Sequence, residues 1–154
     1  MNEVEKIIEN IQELIKVYEE RKDTYHELLD KQENTINYLI EKYKPVYDWI
    51  KNKASYNFTH PTLNYRTTKG PILGYVEQDD RLIVYDVERE RIVICDIGKK
   101  REEDTIINTR YLIENGYFVD AATGLKYLEK MFERYVSDIS STIEKLNDQL
   151  LEVE

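Results

Sequence analysis

Apolar residues recur at helical spacing from the start of the chain: Val4, Ile7, Ile8, Ile11, Leu14, Ile15, Tyr18, Tyr25, Leu28, Leu29, Ile36, Leu39, Ile40 and Tyr43. The last stretch repeats the pattern with Leu125, Leu128, Phe132, Tyr135, Val136, Ile139, Ile143, Leu146 and Leu150. Side chains spaced in this way line one face of a helix, so the pattern predicts a helix at each end. Each stripe is too narrow to be wrapped by a globular core and too long to be left wet, so each asks for another helix beside it. In a heptad frame Val4, Ile11, Tyr18, Tyr25, Gln32 and Leu39 fill one seam position, and Ile8, Ile15, Lys22, Leu29, Ile36 and Tyr43 fill the other. The polar breaks at Arg21-Lys22 and Gln32-Glu33-Asn34 suit a pairing with a fixed register. A helix that rolls across its partner accounts for them equally well.

Pro45 lacks a backbone N–H and crowds the preceding turn, so the first helix is expected to end or kink just before it. Val46, Tyr47, Trp49 and Ile50 then form a short further helix, and Ala54 to Thr68 reads as a loop with one short extended piece. From Pro71 the period changes. Ile72–Val76, Leu82–Val87 and Ile92–Ile97 are rich in β-branched and aromatic residues, and Gln78-Asp79-Asp80 and Glu88-Arg89-Glu90 separate them at hairpin spacing. They predict a three-strand antiparallel meander ended by Gly98, with the charged run Lys99–Asp104 as a solvated loop. Arg110–Glu114 and Tyr117–Val119 flank Asn115-Gly116, the favoured pair for a tight primed turn, and predict a second hairpin. Asp120 is expected to cap the last helix.

The fold class expected is α+β: two long antiparallel amphipathic coiled-coil helices at the termini enclosing an antiparallel β-meander and hairpin region. One domain spans 1–154. Its parts are an N-terminal coiled-coil helix (1–44), a short helix and loop (45–69), an antiparallel β region (70–119) and a C-terminal coiled-coil helix (120–154). The two stripes are expected to pair within one chain, and a second copy is expected to complete a four-helix arrangement. The seam residues are Ile8, Ile11, Ile15, Leu29, Ile36, Leu128, Phe132, Ile139 and Leu146.

With 154 residues, 41% hydrophobic and 34% charged, the chain has the make-up of a helix-rich protein with few long loops. No run of ~18 apolar residues exists, so no membrane span is expected. The charged N-terminus lacks the layout of an export signal, which points to a cytoplasmic protein. The single cysteine, Cys95, excludes an intramolecular disulfide and a cysteine metal cluster, and its apolar neighbours make it a small buried side chain. A net charge of −9 argues against a duplex-DNA binder. That charge is unevenly spread. Between Asp48 and Glu77 there is no acidic residue, and Lys51, Lys53, His60, Arg66 and Lys69 alternate with Trp49, Tyr56, Phe58, Tyr65 and Tyr75.

Little points to catalysis. His26 sits on an exposed helix surface, and His60 precedes Pro61 in a turn. No zinc-protease, phosphate-loop or nucleophile-elbow motif is present. Asp86 and Asp96 stand at similar places in adjacent strands, without other ligands that would name a metal. A non-enzyme without cofactor or metal is expected.

Tyr111-Leu112-Ile113-Glu114-Asn115-Gly116-Tyr117-Phe118-Val119-Asp120 resembles the last strand pair of α-type prefoldin subunits, with a glycine, two aromatics, an aliphatic and an acid before the C-terminal helix. The order helix, hairpins, helix is similar too. The resemblance implies a hexameric holdase whose helix tips grip unfolded clients. The function expected first is therefore a non-catalytic oligomeric helical-hairpin scaffold for protein partners, acting as a holdase or as an inhibitor of a partner. The alternative is a sequestering protein for a small anionic ligand such as a nucleotide, held by Lys53, Tyr56, Tyr65, Arg66, Lys69 and Tyr75, with aromatic faces for a base and cations for phosphate. The Lys-, Glu-, Ile-, Asn- and Tyr-heavy composition is that of an AT-rich genome, and a phage-encoded protein would fit either function.

Overall fold

The computed structural model describes residues 2–54, 56–97 and 103–154. Gly98 and the run Lys99 to Glu102, expected to close the meander, lie outside the described residues. The α+β order holds: a long N-terminal helix, antiparallel sheets, then a C-terminal helix.

Helix α1 runs from Glu3 to Trp49, 47 residues, or about 70 Å at ~1.5 Å per residue. Asn2 starts it, its side-chain oxygen accepting from the Glu5 N–H at 2.8 Å. The helix does not end before Pro45, as expected, but passes through it and widens into one π-helical turn, Ile50–Ala54. Pro45 is exposed, and so is Glu41, whose carbonyl it leaves without an intrahelical partner, so water can take the lost bond. Tyr47 and Ile50, expected in a separate short helix, continue α1 and are fully buried.

Two short strands, β1 (Phe58–Thr59) and β2 (Arg66–Thr67), pair as a hairpin where a loop with one extended piece was expected. The meander follows as β3 (Ile72–Val76), β4 (Arg81–Asp86) and β5 (Arg91–Asp96), extended by β6 (Thr105–Ile107) in the order β3-β4-β5-β6, all antiparallel. The apolar runs are continuous because both sheet faces are covered. Ile83 and Tyr85 on β4, opposite Ile94 and Ile92 on β5, face the main core with Leu29, Ile36, Leu39 and Tyr47 of α1. Leu82 and Val84, opposite Cys95 and Val93, form a second cluster under Leu63, Tyr65 and Tyr75.

The second hairpin is not formed. Thr109–Glu114 is helix α2 and Phe118–Lys126 is helix α3. Asn108 caps α2 by accepting from the Tyr111 N–H at 2.8 Å. Gly116, at φ +83, stops it: the Gly116 N–H reaches the Ile113 carbonyl and the Tyr117 N–H reaches the Leu112 carbonyl, each at 3.1 Å. That bond pair is a Schellman stop. Asn-Gly supplies positive φ equally to a primed hairpin turn and to a helix end, and here Asn108 decides in favour of the helix. The segment that carries the prefoldin resemblance is thus helical. Asp120 is not a cap but lies inside the first turn of α3. The C-terminal helix is also divided, because the chain leaves helical geometry at Tyr127 (ψ 74) before α4 runs from Glu129 to Val153.

Candidate functional site

Two surfaces stand out: the outer lengths of the rods, and a cleft at the base of α4. Every described residue of α1 up to Leu28 is exposed. Ile8, Ile11 and Ile15 are each about half exposed (49%, 48% and 49%), and so are Ile139 (51%) and Leu146 (55%) on α4. The expected seam therefore divides. Leu29 and Ile36 enter the core, Leu128 and Phe132 pack against it, and the other five positions are open. The stripes were expected to cover each other within one chain; along these outer lengths neither is covered. On α4 the open stripe is strictly regular, with Val136, Ile139, Ile143, Leu146, Leu150 and Val153 alternating steps of three and four residues.

The basic-aromatic interval does not gather into one site. Lys53 is exposed on the π turn. Lys69 holds Asp104 at 2.6 Å, and the same carboxylate lies 3.5 Å from Arg89. Tyr75 stacks on Tyr65 with centroids 4.8 Å apart and donates to Asp80 at 2.6 Å. That bond raises the Tyr75 phenol well above its ordinary pKa, with Tyr65 adding to the effect. Lys69 and Tyr75 thus serve the fold.

Tyr56, Tyr65 and Arg66 do converge, but on partners from the far end of the chain. A cleft of about 380 Å³ lies between the β1–β2 hairpin and the α3–α4 junction, lined by Leu63, Asn64, Tyr65 and Arg66 from the hairpin and by Tyr127 and Arg134 opposite. A smaller hollow of about 140 Å³ shares Thr59, Arg66 and Arg134 with it and adds Tyr56, Met131, Tyr135 and Asp138. Arg66 and Arg134 are exposed, and neither has an ion-pair partner among the described residues. Thr59 lines both cavities, and its hydroxyl oxygen is buried without a hydrogen-bond partner.

The cleft walls are held firmly. His60 is buried; its Nε2 lies 2.8 Å from the Asp120 carbonyl, while the Thr62 and Leu63 N–H groups donate to its Nδ1 at 3.2 Å. A carbonyl only accepts and a backbone N–H only donates, so the proton sits on Nε2 and the ring ties loop 60–63 to α3. Gly124 allows the close approach behind it: a Cβ there would lie 1.9 Å from the Ile72 carbonyl oxygen and 2.9 Å from the His60 ring. Across the smaller hollow Tyr56 stacks on Tyr135, centroids 4.2 Å apart and planes 5° from parallel, and Tyr135 donates to the Asn57 carbonyl at 3.2 Å. Arg134, Tyr127 and Thr59 were not anticipated. Arg134 and Tyr127 lie far along the chain from the acid-free interval, and only the tertiary fold brings them to it.

Elsewhere several ionisable groups are committed to structure. Arg81 is buried, 3.0 Å from Asp96, and donates to the Ile94 carbonyl at 3.0 Å and the Glu103 carbonyl at 3.1 Å. Asp86 and Asp96 lie at opposite ends of the β4–β5 ladder, across from Arg91 and Arg81. Among the described residues no three His, Cys, Asp or Glu side chains are placed to hold a metal ion. Burial pushes the Cys95 thiol up, which disfavours the reactive thiolate. No helix among the described residues is long and apolar enough to cross a membrane. Comparison with protein-family models, with curated proteins and with solved structures finds no match for the chain.

Proposed function

We propose that the chain is a non-catalytic scaffold that assembles with copies of itself through the outer lengths of α1 and α4, and that the assembled rods hold protein partners in the manner of a prefoldin-like holdase. The half-exposed stripe of Ile8, Ile11, Ile15, Ile139 and Leu146 carries this reading. Burying one such side chain contributes roughly 1.5–3 kcal/mol, so a seam several residues long outweighs the exposed ion pairs of the rods. A second copy is the occupant that supplies matching stripes of the same length and heptad spacing. Lys22 and Gln32 at seam positions favour one register over its neighbours.

Sedimentation equilibrium tests the assembly. The expected mass is a multiple of the 18.5 kDa chain, falling to the single-chain value in the double variant Ile8→Lys/Ile15→Lys with its sheet signal intact. A wild-type chain that stays monomeric at all concentrations overturns the reading. Holding of clients is tested by light scattering of a chemically denatured protein, whose aggregation stoichiometric scaffold is expected to suppress.

A further inference from the structure

We propose that the cleft between the β1–β2 hairpin and the α3–α4 junction binds a mononucleotide, with Arg66 and Arg134 clasping its phosphate and Tyr65 and Tyr127 flanking its base and sugar. The site uses Arg134 at the base of α4 and none of the open seam positions, so this binding does not require assembly of the rods.

Two guanidiniums from opposite walls of one cavity, neither within ion-pair distance of a carboxylate among the described residues, set two positive charges side by side in a chain of net charge −9. Guanidinium presents its donors in a planar fork that matches phosphate oxygens, which makes phosphate the natural occupant. The Thr59 hydroxyl, buried and without a protein partner, lies in the wall both cavities share. Asp138 lines the smaller hollow one helical turn beyond Arg134 and repels a second anion there, which confines the phosphate to the larger cleft.

The volume, about 380 Å³, lies at the lower end of the range for small-ligand pockets, roughly 300–1,000 Å³, and suits one nucleotide rather than a strand. The acidic rods would also repel a polyanion. The walls are set in place before any ligand arrives, because His60 fixes the hairpin loop to α3 and the Tyr56–Tyr135 stack fixes the base of α4. A preformed cavity needs no ordering on binding, which favours affinity for a small ligand.

Isothermal titration of the full chain with AMP, ADP, inorganic phosphate and a short single-stranded oligonucleotide tests this. Saturable binding of a nucleotide with one site per chain is expected, with phosphate alone weaker. Arg66→Gln and Arg134→Gln, both at exposed positions, are each expected to weaken nucleotide binding at least about tenfold while leaving the thermal midpoint of the free protein unchanged. Tyr127→Leu is expected to weaken the nucleotide and not the phosphate. No nucleotide binding at millimolar concentration overturns the proposal, as does unchanged affinity in both arginine variants. Phosphate binding as tightly as nucleotide overturns the aromatic part, and an oligonucleotide binding more tightly than either overturns the mononucleotide.

Discussion

Tyr47 ties the long helix to α3 through one hydrogen bond. It is fully buried, and its hydroxyl donates to the Leu125 carbonyl at 2.7 Å, near the end of α3, where helix carbonyls lack partners. Tyr47→Phe keeps the ring and strands that carbonyl, so a loss of about 1–3 kcal/mol is expected in urea unfolding. Arg81 is the larger commitment. Arg81→Ala removes the cation 3.0 Å from Asp96 and the donor to the Glu103 and Ile94 carbonyls, for an expected loss of about 3–5 kcal/mol together with faster amide exchange in β6. The tyrosines add a pH dependence. Tyr47, Tyr85, Tyr117 and Tyr135 are raised above their ordinary pKa mainly by burial, and Tyr75 mainly by its bond to Asp80. Unfolded phenols ionise near pH ~10 and these folded ones later, so above pH ~10 the unfolded state binds fewer protons and stability falls as pH rises. The stabilisation is fully present below that pH. An alkaline series of denaturant midpoints should decline accordingly, with part of the tyrosinate absorbance appearing only on unfolding. Its full appearance in the folded protein near pH ~10 would contradict the shifts.

Among the elements, the meander was legible because two independent signals agree: strand-type residues in runs of five or six, and turn residues between them. The turns include Asp80 and Glu90, both at positive φ. The end of α1 lies beyond Pro45, because the cost of a proline depends on whether the orphaned carbonyl faces water, which spacing alone does not reveal. Removing the residue tests that explanation. Pro45→Ala restores a helical N–H, and a gain of about 1–2 kcal/mol is expected after allowing for the freer unfolded chain. Asn115-Gly116 was misread because local chemistry serves two structures there, and the choice rests on Asn108, which lies before the segment being judged. Gly116→Ala should cost about 1–2 kcal/mol by placing a Cβ at φ +83, measured as a lower thermal midpoint with the sheet retained. One wall of the cleft was visible in Tyr65 and Arg66, and the hollow beside it in Tyr56. The opposite wall was not, because one cation in a mixed-charge helix such as α4 looks like any other until the hairpin is laid beside it.

For the whole molecule, the contrast is between a body whose apolar faces are covered and rods whose stripes are not. The body buries both sheet faces and matches its inner charges, while α1 and α4 carry regular apolar stripes into solvent. Their helical period was read correctly, but the expectation of pairing within the chain assumed that both helices leave one sheet on the same side. The added helices α2 and α3 change how the chain enters α4. If the stripes meet only between chains, thermal unfolding should depend on concentration, the midpoint rising by several degrees over a hundredfold range and losing that dependence in Ile8→Lys/Ile15→Lys. A concentration-independent midpoint in the wild type would place the rods' stability within the single chain.

The unbroken course of α1 past Pro45 has a mechanical consequence. A shaft held in the core from Leu29 to Ile50 and free along its outer half acts as a lever, and a load taken up at the tip arrives first where Leu29 and Ile36 enter the core and Arg110 bridges Asp30 and Glu33. The helix, continuous past Pro45, then passes what remains to the Tyr47–Leu125 bond near the end of α3.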